Sequence, residues 1–191
     1  MSRGVRREIA ARRLAREFAL QAIYQWLLHE FPSEETSAPI DLPLLGQAPQ
    51  AQLHTIEELL ASVAAEGKST EKKTGSRTPP DAEFFAVLLQ GAVREASETR
   101  EIIEPLLTRT IAELSPVEHA ILLLSVFELR HDTGTPYRVV INEAIELAKK
   151  YGGTDGHKFI NGVLDRLAVK LRPEEVAFIR TQDSDKKNRR G

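Results

Sequence analysis

The sequence predicts an all-α fold, a bundle of about seven helices. Apolar residues recur every three or four positions over most of the chain, no segment alternates with the period of a strand, and prolines and glycines mark the joints between periodic stretches. At 191 residues the chain can bury a core as one ordinary domain. We therefore expect a single helical domain over 1–180, with a flexible insertion over about 32–80 and a basic, disordered tail over 181–191.

The first predicted helix runs from about Arg6 to His29. Its apolar stripe consists of Ala15, Phe18, Ala19, Ala22 and Trp26. At about 100° per residue, Arg6, Arg13 and Tyr24 fall within about 20° of one another on the opposite side. Guanidinium groups bind phosphates and a tyrosine ring can stack on an unpaired base, so this face is a candidate RNA contact. On spacing alone, the favoured alternative is that these arginines only keep an outer face hydrated.

The charge distribution supports a basic N-terminal end. The net charge is only −2, but residues 1–16 hold six arginines and one acid, Glu8, a local balance of 6 − 1 = +5. The sequence contains no cysteine, which excludes disulfides, thiolate zinc sites and a cysteine nucleophile. No apolar run approaches the roughly 18 residues that span a bilayer, and no secretory signal pattern is present. We expect a cytoplasmic protein.

The next elements follow from local signals. Four prolines predict a loop over 32–50, and apolar spacing predicts a helix over 52–65 and a long helix over 81–103. A Gly-Lys-Ser run near residue 67 lacks the upstream glycine and strand of a phosphate-binding loop. Ser115 with Glu118 three residues later is a capping box that begins a helix apolar nearly all round, which should lie in the middle of the bundle.

The pattern of residues over 137–171 predicts two helices joined by a polar turn. Gly152 and Gly153 are predicted to end the first helix in the left-handed conformation, and Thr154 or Asp155 to cap the next by accepting backbone N–H groups. Lys158 adds charge where a helix N-terminus favours an anion. The neighbouring Phe159 is either a core residue or a base-stacking ring, and His157 either packs its helix or makes a functional contact. A last short helix is predicted over 174–180.

Catalysis is not expected. The candidate pairs are His119 with Glu118 and His157 with Asp155, since a carboxylate can orient an imidazole for base catalysis. The sequence offers no nucleophile with an oxyanion site, no carboxylate cluster for a metal and no glycine-rich cofactor loop on a strand. We therefore expect no enzyme activity, no cofactor and no metal.

Two separated segments carry a family resemblance. Residues 113–168, and Ala11-Arg12-Arg13-Leu14-Ala15-Arg16-Glu17 through Gln25-Trp26, resemble the NusB family of transcription antitermination factors. The resemblance implies two helical subdomains packed as one unit. It also implies binding to the single-stranded boxA element of ribosomal RNA leader transcripts together with the ribosomal protein NusE, and entry into the RNA polymerase elongation complex with other Nus factors.

The resemblance also implies which residues bind. It places one continuous RNA-binding surface on Arg12, Arg13, Arg16, Tyr24, Asp155, Lys158 and Phe159, and a protein-partner surface at Glu118 and Tyr24. Leu14 departs from the pattern, because many such proteins carry another arginine there.

Alternatives remain open at this point. One is a helical scaffold that binds only protein, which would not need the aligned arginine face. Another is a stand-alone relative of the RNA-binding domain of RNA cytosine methyltransferases, whose catalytic cysteines this chain lacks. A homodimer that covers the arginine face is also open.

Overall fold

Seven α-helices make up the described part of the structure. The computed structural model describes residues 3–30 and 78–188, with side-chain burial for 4–28 and 78–183. The helices are α1 Arg3–Glu30, α2 Ala82–Arg94, α3 Ala96–Ile103, α4 Pro116–His131, α5 Tyr137–Tyr151, α6 Gly156–Leu171 and α7 Pro173–Asn188, with 3₁₀ turns at Glu104–Leu106 and Ile111–Glu113. These residues contain no strand, so the all-α prediction is confirmed. The helix predicted over 52–65 and the loops on either side of it lie outside the described residues, apart from 78–80.

The chain divides into two compact units, Met1–Arg94 and Glu95–Gly191. In the first unit α2 packs against α1. The carboxylate of Asp81 caps α2 by accepting the N–H of Phe84 at 3.0 Å, and the Asp81 N–H donates to the Ala11 carbonyl at 3.2 Å. These bonds fix the start of α2 on the first third of α1.

The long helix predicted over 81–103 is wrong in one respect, because it is broken at Glu95. This residue has φ −98° and ψ 13°, between α2 and α3. Its carboxylate accepts from Arg130 at 3.0 Å and lies 2.7 Å from His131. No proline or glycine occupies the break. The structure shows instead that Glu95 is held by its tertiary ion pair with Arg130, which local sequence does not predict.

Helix α4 is the centre of the second unit, as predicted. It is buried from Val117 to Leu129, and both α5 and α6 pack on it and on each other. The predicted capping box is confirmed: the Ser115 hydroxyl accepts the Glu118 N–H at 3.3 Å, and the Glu118 carboxylate accepts the Ser115 N–H at 3.0 Å. None of the helices in residues 3–30 and 78–188 combines the length and apolarity needed to cross a bilayer.

The joint between α5 and α6 differs from the prediction in its chemistry. Gly152 ends α5 in an extended conformation, φ −91° and ψ 174°, rather than a left-handed one. Glycine is needed there for space, since a Cβ would lie 2.6 Å from the Ala148 carbonyl oxygen. Asp155 holds the N-cap position of α6, but its side chain caps no backbone N–H.

The last helix is longer than predicted. It continues past Arg180 to Asn188, into residues for which the sequence predicts a disordered tail. Residues 181–188 contain no proline or glycine to end a helix. A tertiary ion pair holds this extension, because Asp183 accepts from Arg138 of α5 at 2.6 Å.

Arg172 joins three elements of the second unit. Its side chain is buried, and its guanidinium donates at 2.6–3.1 Å to the backbone carbonyls of Glu128, Leu129, Asp132 and Thr135. It also lies 3.3 Å from the Glu175 carboxylate. Carbonyls at a helix C-terminus lack intrahelical donors, so this cation satisfies the end of α4 and fixes the start of α7.

Candidate nucleic-acid interface

The arginines of α1 differ in exposure along the helix axis. Residues 4–9 are exposed, Arg13 is exposed, Arg12 is half-buried, and Arg16 is only 5% exposed. The Arg12 and Arg16 guanidinium carbons lie 4.5 and 5.1 Å from the centroid of the Phe84 ring. Of the three arginines on the predicted RNA-binding surface, Arg13 is therefore the most accessible, and Arg16 packs on Phe84 of α2.

The prediction that Tyr24 presents an exposed ring is wrong. Its side chain is 6% exposed, and burial raises the pKa of its hydroxyl. The reason is that α1 is buried on every side from Ala15 to Tyr24, so no outer face exists over these turns. Tyr24 can neither stack on a base nor meet a protein partner in this arrangement.

The first turn of α6 carries the exposed charges of the second unit's candidate site. The Lys158 ammonium lies 2.8 Å from the Asp155 carboxylate, and both side chains are about three-quarters exposed, 73% and 74%. The N–H groups of Gly156 and Lys158 already donate to the carbonyls of Gly153 and Asp155. An anion at this turn would therefore be held mainly by the lysine.

Glu118 lies beneath the surface, which corrects its predicted place on a protein-partner surface. It is 8% exposed, and its second carboxylate oxygen pairs with Arg109 at 2.8 Å. Burial acts to raise the pKa of Glu118, but the hydrogen bonds from Ser115 and the Arg109 charge outweigh it, so the pKa is lowered. The capping box and the ion pair occupy this carboxylate.

Arg109 is the residue that sequence reasoning missed. Its guanidinium carbon lies 4.4 Å from the centroid of the half-buried Phe159 ring, while Glu118 holds Nη2. Arg109 stands between two 3₁₀ turns, in a segment without helical period, so no pattern pointed to it. Arg109, Glu118, Phe159 and Lys158, here called the α6 cluster, all lie in the second unit.

The histidines named as catalytic candidates are placed differently from each other. His119 is 6% exposed, and its Nε2 accepts from Arg100 Nε at 3.2 Å. His157 is half-buried in the first turn of α6. Within residues 3–30 and 78–188, no group of three or more metal-ligating side chains could hold an ion.

Glu118→Gln should flatten the loss of stability in acid. Because folding lowers the pKa of Glu118, its contribution is present above the ordinary value of about 4.3 and is lost as pH falls through the lower folded-state pKa. Glutamine keeps the cap but does not titrate. Thermal midpoints between pH 7 and pH 3 should fall less steeply in the variant than in the parent. Glu146→Gln, at an exposed pair with Lys149, is the matched control, and parallel curves for Glu118→Gln and parent would contradict the assignment.

Comparison with known proteins gives a consistent result. The NusB family profile matches residues 47–169. The chain is 46% identical over 168 residues to "Transcription antitermination protein NusB" of Aromatoleum aromaticum, covering 88% of this chain and 94% of that protein. It is 45% identical to the Bordetella pertussis protein of that name, over 87% and 91% of the two chains. The structure of T. maritima NusB superposes with a TM-score of 0.60 at 26% identity, covering 87% of this chain and 96% of that one.

Proposed function

The chain belongs to the NusB family of transcription antitermination proteins, and from this premise we propose that it binds boxA RNA of ribosomal RNA leader transcripts together with NusE. The complex then joins the RNA polymerase elongation complex with other Nus factors, in the cytoplasm where transcription takes place. The observation that carries the proposal is that exposed basic residues remain at both places the family pattern assigns to RNA, Arg13 on α1 and Lys158 on α6.

The proposed mechanism is assembly, with no bond made or broken. Exposed cations at Arg13, Lys158 and the first turns of α1 contact phosphates, which gives affinity that falls with salt. Sequence preference then has to come from stacking and edge contacts to unpaired bases. Tyr24, Glu118 and Arg16 are left out of the proposed contacts because they are buried.

The proposal is tested by fluorescence-anisotropy binding of the full chain to a boxA-type RNA and to a scrambled RNA of equal length, with and without NusE, at two salt concentrations. We expect preference for boxA, strengthened by NusE and weakened by salt. Equal, weak binding to both RNAs even in the presence of NusE would contradict the proposal and favour a scaffold that binds only protein.

A further inference from the structure

Arg109 is fixed at the surface of the α6 cluster by two contacts. Its Nη2 pairs with buried Glu118 at 2.8 Å, and its guanidinium carbon lies 4.4 Å from the centroid of the Phe159 ring. Its Nε is buried as well. Nevertheless, 34% of the side chain is exposed. The guanidinium is therefore held in place by the fold and still reachable from solvent.

The position of Arg109 over the Phe159 ring affects how an unpaired base could stack at this site. The guanidinium covers one face of that half-buried ring, so a base cannot stack on that face of Phe159 unless Arg109 moves away. An arginine plane is itself a stacking surface for unpaired bases. In the described part of the chain, the structure gives Arg109 no hydrogen bond beyond the one to Glu118, so further N–H donors are left for a base edge.

The charges around Arg109 and Lys158 suit these two residues to different parts of a nucleotide. Glu118 offsets the charge of Arg109 from below, which reduces its attraction for phosphate. Lys158, one residue before Phe159, is exposed and paired only with the equally exposed Asp155 among described residues. Lys158 therefore suits a phosphate, whereas Arg109 suits the base.

Resting on the proposed function, we propose that Arg109 is a base-contacting residue of the RNA site: its guanidinium, supported by the Phe159 ring and positioned by Glu118, stacks on one unpaired nucleotide. Its contribution is to stacking, and Lys158 supplies the salt-dependent part.

The test is an abasic scan of the boxA-type RNA against the full chain with NusE. One nucleotide at a time loses its base, and the dissociation constant is measured for the parent and for Arg109→Lys. Lysine keeps the charge next to Glu118, so the variant should fold, but it has no planar group. Thermal melts check the fold. Arg138→Lys is the matched control, because Arg138 is also ion-paired to a carboxylate, Asp183, and stands apart from the cluster in sequence.

We expect one abasic position to weaken binding by the parent about tenfold, in the range of base stacking. With Arg109→Lys, intact RNA should bind about tenfold more weakly. That abasic position should then have little further effect, and the salt dependence should be unchanged. Arg138→Lys should keep the parent profile.

An unchanged abasic profile in Arg109→Lys, with boxA preference intact in the parent, would overturn this inference alone. The inference would also be overturned if Arg109→Lys weakened the binding of intact RNA and of every abasic RNA by the same factor. That result is expected when the arginine has only a structural role. Absence of boxA preference in the parent would overturn the proposed function as well.

Discussion

Replacing Arg172 with alanine is expected to lower the free energy of unfolding of the second unit by at least about 3 kcal/mol, because buried groups lose a charged partner. The side chain is 7% exposed and donates to four carbonyls. Alanine would remove the guanidinium donors from all four carbonyls, of which those of Glu128 and Asp132 keep a backbone N–H donor, and would release the start of α7. Urea denaturation followed by far-UV circular dichroism measures the effect on the helices.

Two further variants make the Arg172 result specific. Arg172→Lys keeps the charge but lacks the fork that reaches several carbonyls, so a substantial part of the loss should persist. Arg138→Ala also removes an arginine that contacts α7, but its ion pair is half exposed at 51% and 50% and is screened by solvent, so its cost should be far smaller than that of Arg172→Ala. Equal effects of Arg172→Ala and Arg138→Ala would contradict the role assigned to Arg172. Trp26, the single tryptophan, lies in the first unit and its fluorescence follows that unit separately.

The double variant Arg13→Ala/Lys158→Ala is expected to weaken boxA binding about 25-fold at 0.1 M salt. A phosphate contact on a single strand contributes about 0.7 to the slope of log K against log salt, about fivefold at 0.1 M relative to 1 M, and two contacts multiply. The slope itself should fall by about 1.4. Anisotropy titrations at four salt concentrations measure both quantities.

Controls on α6 test whether position matters. Lys170 lies twelve residues after Lys158 on the same helix, about 18 Å away along the axis, and is also exposed. Lys170→Ala should leave affinity and slope unchanged. Asp155→Asn should act in the opposite direction and strengthen binding, since it removes the carboxylate 2.8 Å from Lys158. Equal losses from the Lys158 and Lys170 changes would show nonspecific attraction.

Local signals predicted much of the fold. The capping box of Ser115 and Glu118 is complete within four residues, and the all-round apolarity of α4 correctly placed it in the centre. The break at Glu95 and the extension of α7 to Asn188 involve ion pairs with Arg130 and with Arg138, and the partners in each lie more than thirty residues apart. Helical periodicity carries no information on such pairs.

The candidate site was harder to predict than the fold. Helical spacing groups Arg13 and Tyr24 on one side of α1, but residues 15–24 are all buried, so exposure follows position along the axis. Glu118, at the start of α4, was expected to face a protein partner, but it is only 8% exposed. The ion pair between the Glu118 carboxylate and Arg109 is a tertiary contact, and no local sequence pattern predicts it.

The anchoring of Arg109 also affects when conformational entropy is lost. A free arginine side chain carries about 2 kcal/mol of rotamer entropy, part of which a flexible contact residue gives up on meeting its ligand. Here the bond to Glu118 and the Phe159 ring restrict those rotamers as the second unit folds. The entropic cost thus falls largely on folding, and the side chain is preorganised before any ligand arrives.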